Sequence, residues 1–179
     1  PYYVEEYTAS AILDMLEAAK ELAMEKKVKF NTRLFLAGYS EGGYATMAAH
    51  KAVEESSPEG FDLIASFAGA GAYDLKGMQD YLFGLTTYDD PYYLAYIVRS
   101  YQITYDFPSA LTDFFKEPYA GRIPSLFNGQ KGAQEIDAQL TNTIADLLQE
   151  KIIGSINTDP AYAYLVNAFQ ENSLVDWAP

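Results

Sequence analysis

One stretch of this sequence, Gly38-Tyr39-Ser40-Glu41-Gly42, limits the possible folds more than any other. The run that precedes it, Leu34 to Ala37, is continuously apolar, as is typical of a strand covered on both faces of a parallel sheet. Small residues follow the stretch at helical spacing: Ala45, Ala48, Ala49 and Ala52. The sequence therefore predicts a buried strand, a very tight turn that carries Ser40, and a helix.

The turn fits the G-x-S-x-G pattern, in which a strained strand-to-helix connection holds a nucleophilic serine. Glycine at positions 38 and 42 would let neighbouring backbone pass close to the serine without a Cβ clash. The bare pattern arises by chance in roughly one chain in twenty of this length. With a strand before it and a helix after it, a nucleophile at Ser40 is favoured over an ordinary serine in a glycine-rich turn. The amino end of the helix would offer N–H groups to an anion forming there.

The composition excludes several classes of function. The chain of 179 residues is about one domain, and 12 Lys+Arg against 25 Asp+Glu give a net charge of −13, which argues against binding nucleic acid or an anionic membrane surface. With no cysteine there is no disulfide, no thiolate nucleophile and no cysteine-based zinc site. The apolar runs fall short of the roughly 20 residues of a membrane span. We expect no metal, no cofactor and no stable membrane insertion.

The first 74 residues alternate helix and strand. Apolar residues recur every three or four positions from Val4 to Lys27, which predicts an amphipathic helix. The segment from Phe61 to Ala68 is predicted to be a second strand, parallel to the first. Small residues such as Gly69 and Gly71 follow at the carboxyl edge of the sheet, where open α/β folds place ligands. Asp74 lies nearby and is either an acid that orients a base or, as we prefer, the N-cap of a helix from Leu75.

The rest of the chain is predicted to be helical. The expected helices are Leu75 to Phe83, Tyr92 to about Tyr101, a short one opened by Ser109, a long one through Ile136, Leu140, Ile144, Leu147, Leu148 and Ile152 closed by Gly154, and a last one from Asp159-Pro160. Eight of the 16 tyrosines lie between Tyr73 and Tyr105. They either line a pocket over Ser40 or form the core of the helical region.

A serine nucleophile needs a base, and the only histidine of the sequence is His50. It follows Ser40 by ten residues on the same predicted helix, so it lies roughly 15 Å along the axis, outside hydrogen-bond reach. We expect His50 to be a surface or packing residue. In α/β-hydrolases the chain order is serine, acid, histidine, so this sequence holds a nucleophile without its base and should be inactive alone.

The segments Gly38-Tyr39-Ser40-Glu41-Gly42-Gly43 and Phe67-Ala68-Gly69-Ala70-Gly71-Ala72-Tyr73-Asp74-Leu75 resemble the nucleophile elbow and the start of the lid in secretory-lipase-like α/β-hydrolases. The resemblance implies an α/β fold with three parts. Residues 1–74 would be a partial hydrolase core with about two parallel strands and flanking helices, residues 75–173 an all-helical lid or cap, and residues 174–179 the start of a return to the core.

The same resemblance implies ester hydrolysis through an acyl-serine intermediate on Ser40, with the Glu41 backbone N–H as one oxyanion donor. The second donor would precede Pro1, and the acid and histidine would follow Pro179, so the chain looks like an excised piece of a longer protein. Tyr39 and Tyr73 are expected to contact the substrate, a small-molecule ester or a lipid. The family is typically exported, so we expect a secreted or periplasmic protein.

Two alternatives remain open from the sequence. Ser-x-Gly-Gly also resembles the elbow of prolyl-peptidase-like serine peptidases, and the chain could instead be a non-catalytic helical interaction module.

Whatever the activity, two strands alone leave both sheet edges unpaired. We therefore expect the isolated chain to associate with itself.

Overall fold

The computed structural model describes residues 1–107 and 109–177. Residues 178 and 179, which end the segment expected to return to the core, lie outside the described part. The chain divides into two compact units. We call Tyr3–Asp74 together with the residues from Asn172 onward the sheet unit, and Pro1–Tyr2 together with Leu75–Glu171 the helical unit.

The sheet unit alternates helix and strand as predicted. Helix α1 spans Glu5–Glu25, strand β1 Arg33–Tyr39, helix α2 Glu41–Ser56 and strand β2 Asp62–Gly69. The two strands are parallel, with Arg33 opposite Asp62 and Tyr39 opposite Gly69. The predicted α/β arrangement of two parallel strands with flanking helices is therefore confirmed.

Only one face of this sheet is buried by the described residues, so the prediction of a strand covered on both faces is wrong. Burial alternates along β1, where Leu34 and Leu36 pack on α2 around Ala49 and Val53. The opposite face exposes Phe35, and on β2 it exposes Phe67. The continuous apolar run of β1 cannot reveal this difference, because it supplies an apolar side chain to each face whether or not both are covered.

The helical unit contains seven α-helices and two short 3-10 helices within the described residues. The α-helices are α3 Leu75–Phe83, α4 Tyr92–Thr104, α5 Tyr119–Leu126, α6 Ala133–Asp137, α7 Ile144–Leu147, α8 Glu150–Ser155 and α9 Ala163–Glu171. The 3-10 helices are Leu111–Asp113 and Pro160–Tyr162. As predicted, the described part of this unit has no further strand, and isolated bridges join Thr87 to Thr143 and Phe115 to Leu148.

The long helix predicted from Ile136 to Ile152 is wrong, because three short helices occupy that region. Between them the chain is extended at Thr143, with ψ 112°, and at Leu148, with ψ 152°. Gly154 lies inside α8 and does not end a helix. The isoleucine and leucine side chains of this region are buried all the same, except that of Leu140, which is partly buried. Spacing by three or four residues marks one buried face, and successive short helices can present that face as well as one long helix.

The tyrosines of the helical unit serve packing in several places. Tyr101 is fully buried and contacts Phe169 with ring centroids 5.3 Å apart, and Tyr2 stacks on Tyr96 at 4.3 Å. By contrast, the side chain of Tyr81 is exposed. The core role considered for these residues is thus seen for part of the group.

Candidate functional site

Ser40 occupies the junction between β1 and α2 with a backbone conformation that is rare for any residue with a Cβ. Its φ is 56° and its ψ is −120°. Backbone of this kind costs of order 1–3 kcal/mol and persists only where the surrounding structure enforces it. The side chain of Ser40 is exposed. The turn therefore holds a serine hydroxyl in a fixed, accessible position at the amino end of a 16-residue helix.

Hydrogen bonds and close glycine contacts enforce this turn. The Ser40 N–H donates to the carbonyl of Gly69 at 2.9 Å, and the Ser40 carbonyl accepts from the N–H of Gly43 at 2.9 Å. A Cβ on Gly38 would lie 2.0 Å from the carbonyl oxygen of Gly42, and one on Gly43 would lie 2.3 Å from that of Gly69. Neither position accepts a larger residue without movement of backbone.

Gly42 does not have the role predicted for it. A Cβ added to Gly42 meets no atom within 4 Å, whereas Gly43 is the residue that permits β2 and α2 to approach. The glycine after the pattern is thus the one that the packing requires. Sequence spacing could not separate the two, because the partner backbone comes from Gly69, 26 residues further along the chain.

Glu41, the predicted oxyanion donor, is the first residue of α2. The N–H of a first helical residue has no carbonyl one turn earlier in the helix to receive it, so it is available to an external acceptor. The side chain of Glu41 adds a second property, because burial of its carboxyl group raises its pKa. An ionised group at this position is therefore disfavoured relative to one in water.

The two tyrosines predicted to bind substrate have different environments. Tyr39, next to the serine, is the more exposed of the two, with 77% of its surface accessible. Tyr73 is partly buried, and its hydroxyl oxygen is buried without a hydrogen-bond partner among the described residues. Asp74, considered as an acid or an N-cap, is exposed and directly precedes α3.

His50 is engaged on both ring nitrogens by groups other than Ser40. Its Nδ1 lies 2.8 Å from Ser66 Oγ on β2, and its Nε2 lies 3.1 Å from Glu54 Oε1 on α2. Its ring also makes an edge contact with Trp177, with centroids 5.1 Å apart. His50 therefore connects α2 to β2 through the Ser66 contact, in agreement with the packing role expected for it.

Sequence reasoning missed Asn172, which connects three distant segments of the sheet unit. Its side-chain oxygen accepts from the N–H of Glu5 at 2.7 Å, and its carbonyl accepts from the hydroxyl of Tyr44 at 2.8 Å. Tyr44 in turn donates its N–H to the carbonyl of Ser40 at 3.2 Å. No local signal predicts this link, since 128 residues separate Tyr44 from Asn172.

The described residues hold neither a candidate metal site nor a candidate membrane span. No cluster of three or more His, Asp or Glu side chains could hold a metal ion among residues 1–107 and 109–177. Within the same ranges, no helix has the length and apolar character needed to cross a membrane.

Comparison with known proteins identifies similar sequences and structures. Residues 1–84 match the secretory lipase family. A ligand-bound form of the rice cell wall degrading esterase LipA from Xanthomonas oryzae is 26% identical, with a TM-score of 0.84, over 100% of this chain and 48% of that one. A "putative hydrolase" from Legionella pneumophila is 31% identical, with a TM-score of 0.83, over 94% of this chain and 46% of that one.

A further crystal structure of LipA from Xanthomonas oryzae is 25% identical and has a TM-score of 0.84 over 100% of this chain. The chain spans about half the length of these solved structures. A search of curated proteins finds no significant match.

Proposed function

We propose that this chain supplies the nucleophile of a serine hydrolase acting on carboxylic esters, because residues 1–84 match the secretory lipase family and the whole chain is similar in structure to an esterase and to a "putative hydrolase". The observation that carries the proposal is the backbone of Ser40, with φ 56° and ψ −120° between a parallel strand and a helix. This backbone resembles the strained strand-to-helix turn with which α/β-hydrolases present their nucleophilic serine, which supports the proposal.

In the proposed reaction the Ser40 hydroxyl oxygen attacks the carbonyl carbon of the ester while a general base takes its proton. The tetrahedral oxyanion accepts a hydrogen bond from the Glu41 N–H, and the positive end of the α2 dipole favours its charge. Collapse expels the alcohol, which receives the proton and leaves an acyl-Ser40 ester. A water molecule then attacks this ester, releasing the carboxylic acid and restoring the serine.

The base, the acid and the second oxyanion donor are proposed to come from polypeptide outside these 179 residues. His50 cannot serve as the base, since Ser66 and Glu54 hold both of its ring nitrogens. The similar esterase structures are about twice as long as this chain, which leaves room for the missing groups. The chain alone is therefore proposed to be inactive.

The helical unit is proposed to act as a lid, with Tyr39 and Tyr73 contacting the substrate. An aromatic wall with polar tips suits an ester that has an apolar acyl or alcohol part. Secretory lipase sequence over residues 1–84 supports a secreted protein.

The test is hydrolysis of p-nitrophenyl butyrate by the complete protein that contains this chain. Ser40→Ala is expected to abolish hydrolysis, and Ser10→Ala, at an exposed position of α1, is expected to leave it unchanged. Retention of wild-type activity by Ser40→Ala would exclude this serine as the nucleophile. Faster cleavage of the matching p-nitroanilide than of the ester would instead favour a peptidase.

A further inference from the structure

The hydroxyl of Tyr73 lacks a hydrogen-bond partner among residues 1–107 and 109–177. Its oxygen is also buried. Burying a hydroxyl without a partner is unfavourable, so such groups are rare, and a role in catalysis is one explanation for them. A tyrosine hydroxyl can donate one hydrogen bond and also accept one. Tyr73 thus presents an unused donor inside the sheet unit.

The Tyr73 ring lies beside the first turn of α2. The position that a Cβ on Gly71 would occupy is 2.6 Å from the backbone nitrogen of Tyr44 and 2.7 Å from the Cζ atom of Tyr73. The hydroxyl-bearing ring carbon and this backbone nitrogen are therefore close neighbours, separated by space that only glycine leaves open. The same Tyr44 N–H donates to the carbonyl of Ser40.

The backbone on both sides of this contact is fixed. The carbonyl of Tyr73 accepts a hydrogen bond from the N–H of Leu174 at 2.7 Å, and α3 begins two residues later at Leu75. On the other side, the Ser40 N–H bonds to Gly69 at the end of β2. The backbone that carries the Tyr73 ring and the backbone of Ser40 are thus both held by hydrogen bonds, which is the kind of rigid support that a substrate contact requires.

We propose that the Tyr73 hydroxyl donates a hydrogen bond to an oxygen of the ester group bound at Ser40. This inference rests on the proposed function. Ester oxygens accept hydrogen bonds and cannot donate them, so they match a hydroxyl that has no partner among the described residues and whose ring lies next to Tyr44, the residue that donates to the Ser40 carbonyl. Oxyanion sites combine backbone and side-chain donors, so Tyr73 would act together with the Glu41 N–H and the second donor that is proposed to lie outside this chain. Tyr73 adds a side-chain donor to that site and favours substrates with the carbonyl oxygen directed toward it.

The experiment compares Tyr73→Phe with the wild type in the complete protein, using p-nitrophenyl butyrate. Active serines are first counted by their burst of reaction with a fluorophosphonate, so that kcat refers to folded enzyme. Tyr73→Phe is expected to lower kcat about tenfold to a hundredfold, with KM changed less than twofold, because the bond strengthens as charge develops on the oxygen. The control is Tyr7→Phe, at an exposed position of α1, which should leave both constants unchanged.

The melting temperature distinguishes a substrate contact from a structural one. A hydroxyl without a protein partner can be removed without loss of stability, so Tyr73→Phe should melt at or above the wild-type temperature. A kcat within twofold of wild type, while Ser40→Ala is inactive, would overturn the inference and leave the proposed function standing. A Tyr73→Phe protein that melts well below wild type or fails to fold would also overturn it. Activity of Ser40→Ala would instead refute the proposed function itself.

Discussion

Gly38 and Gly42 lie so close that a Cβ on Gly38 would be 2.0 Å from the carbonyl oxygen of Gly42. The contact joins the end of β1 to the first turn of α2 and closes the turn around Ser40. Because the atom that would be struck belongs to backbone, no side-chain rotation can relieve the clash. The two glycines nevertheless differ, since a Cβ on Gly42 meets nothing within 4 Å.

Gly38→Ala is therefore predicted to lower the free energy of unfolding by about 3 kcal/mol or more, in the range of severe packing errors. Gly42→Ala is the matched control, and it should be neutral or stabilising by up to about 1 kcal/mol, because alanine is the better helix former. Urea denaturation of both variants measures the difference. Equal losses in the two variants would contradict the close contact.

The strained backbone at Ser40 predicts that glycine is more stable than alanine at this position. Glycine adopts positive φ without a Cβ penalty, so Ser40→Gly should unfold with a free energy about 1 kcal/mol higher than Ser40→Ala. At Ser10, inside α1, the order should reverse, with glycine about 1 kcal/mol below alanine. Thermal or urea unfolding of the four variants tests this. The same order at both sites would show that Ser40 is unstrained.

Glu41 predicts a dependence of stability on pH. Burial raises the pKa of its carboxyl group in the folded chain, so the folded state binds the proton more tightly than the unfolded state. Its contribution is fully present below the unfolded pKa of about 4.3 and is lost as pH rises through the raised folded value. Glu41→Gln should therefore gain stability over wild type between about pH 4.3 and pH 7. A difference between the two proteins that is constant from pH 4 to pH 7 would contradict this account.

The exposed sheet face predicts self-association of the isolated chain. Phe35, Ile64 and Phe67 present apolar side chains there, and exposed apolar patches of this kind promote association. Ile64→Thr combined with Phe67→Thr should reduce the mass measured by light scattering, because threonine keeps β-propensity while removing apolar surface. Met24→Gln, at an exposed position of α1, is the control. A monomeric wild-type chain would contradict the prediction.

Local patterns predicted most of the sheet unit. Each of its signals lies within a short stretch of sequence: the periodicity of α1, the apolar run of β1 and the glycines around Ser40. The structure has the helix, the strand and the turn that these signals predict. The helices of the helical unit were harder to predict. The proline of α5, Pro124, lies inside that helix and hides it from a search for uninterrupted periodicity.

Contacts between distant segments account for what the sequence could not reveal. Asn172 forms hydrogen bonds with Glu5 and Tyr44, and Leu174 donates one to Tyr73. These partners are too far apart in the chain for a local sequence pattern to predict the bonds. The buried state of the Tyr73 hydroxyl follows from the same packing. The sequence predicted that Tyr73 contacts the substrate. Only the structure shows that its hydroxyl has no partner among the described residues.

The proposed mechanism makes Ser40 the nucleophile and takes its base from outside this chain. The direct measurement is the rate at which a fluorophosphonate modifies the peptide from Leu34 to Lys51, which trypsin releases after Arg33 and which contains Ser40 as its one serine. We expect rapid modification of this peptide in the complete protein. In the isolated 179-residue chain we expect modification slower by about a thousandfold or more, because the base is missing. Equal rates in the two proteins, or no modification in the complete one, would contradict it.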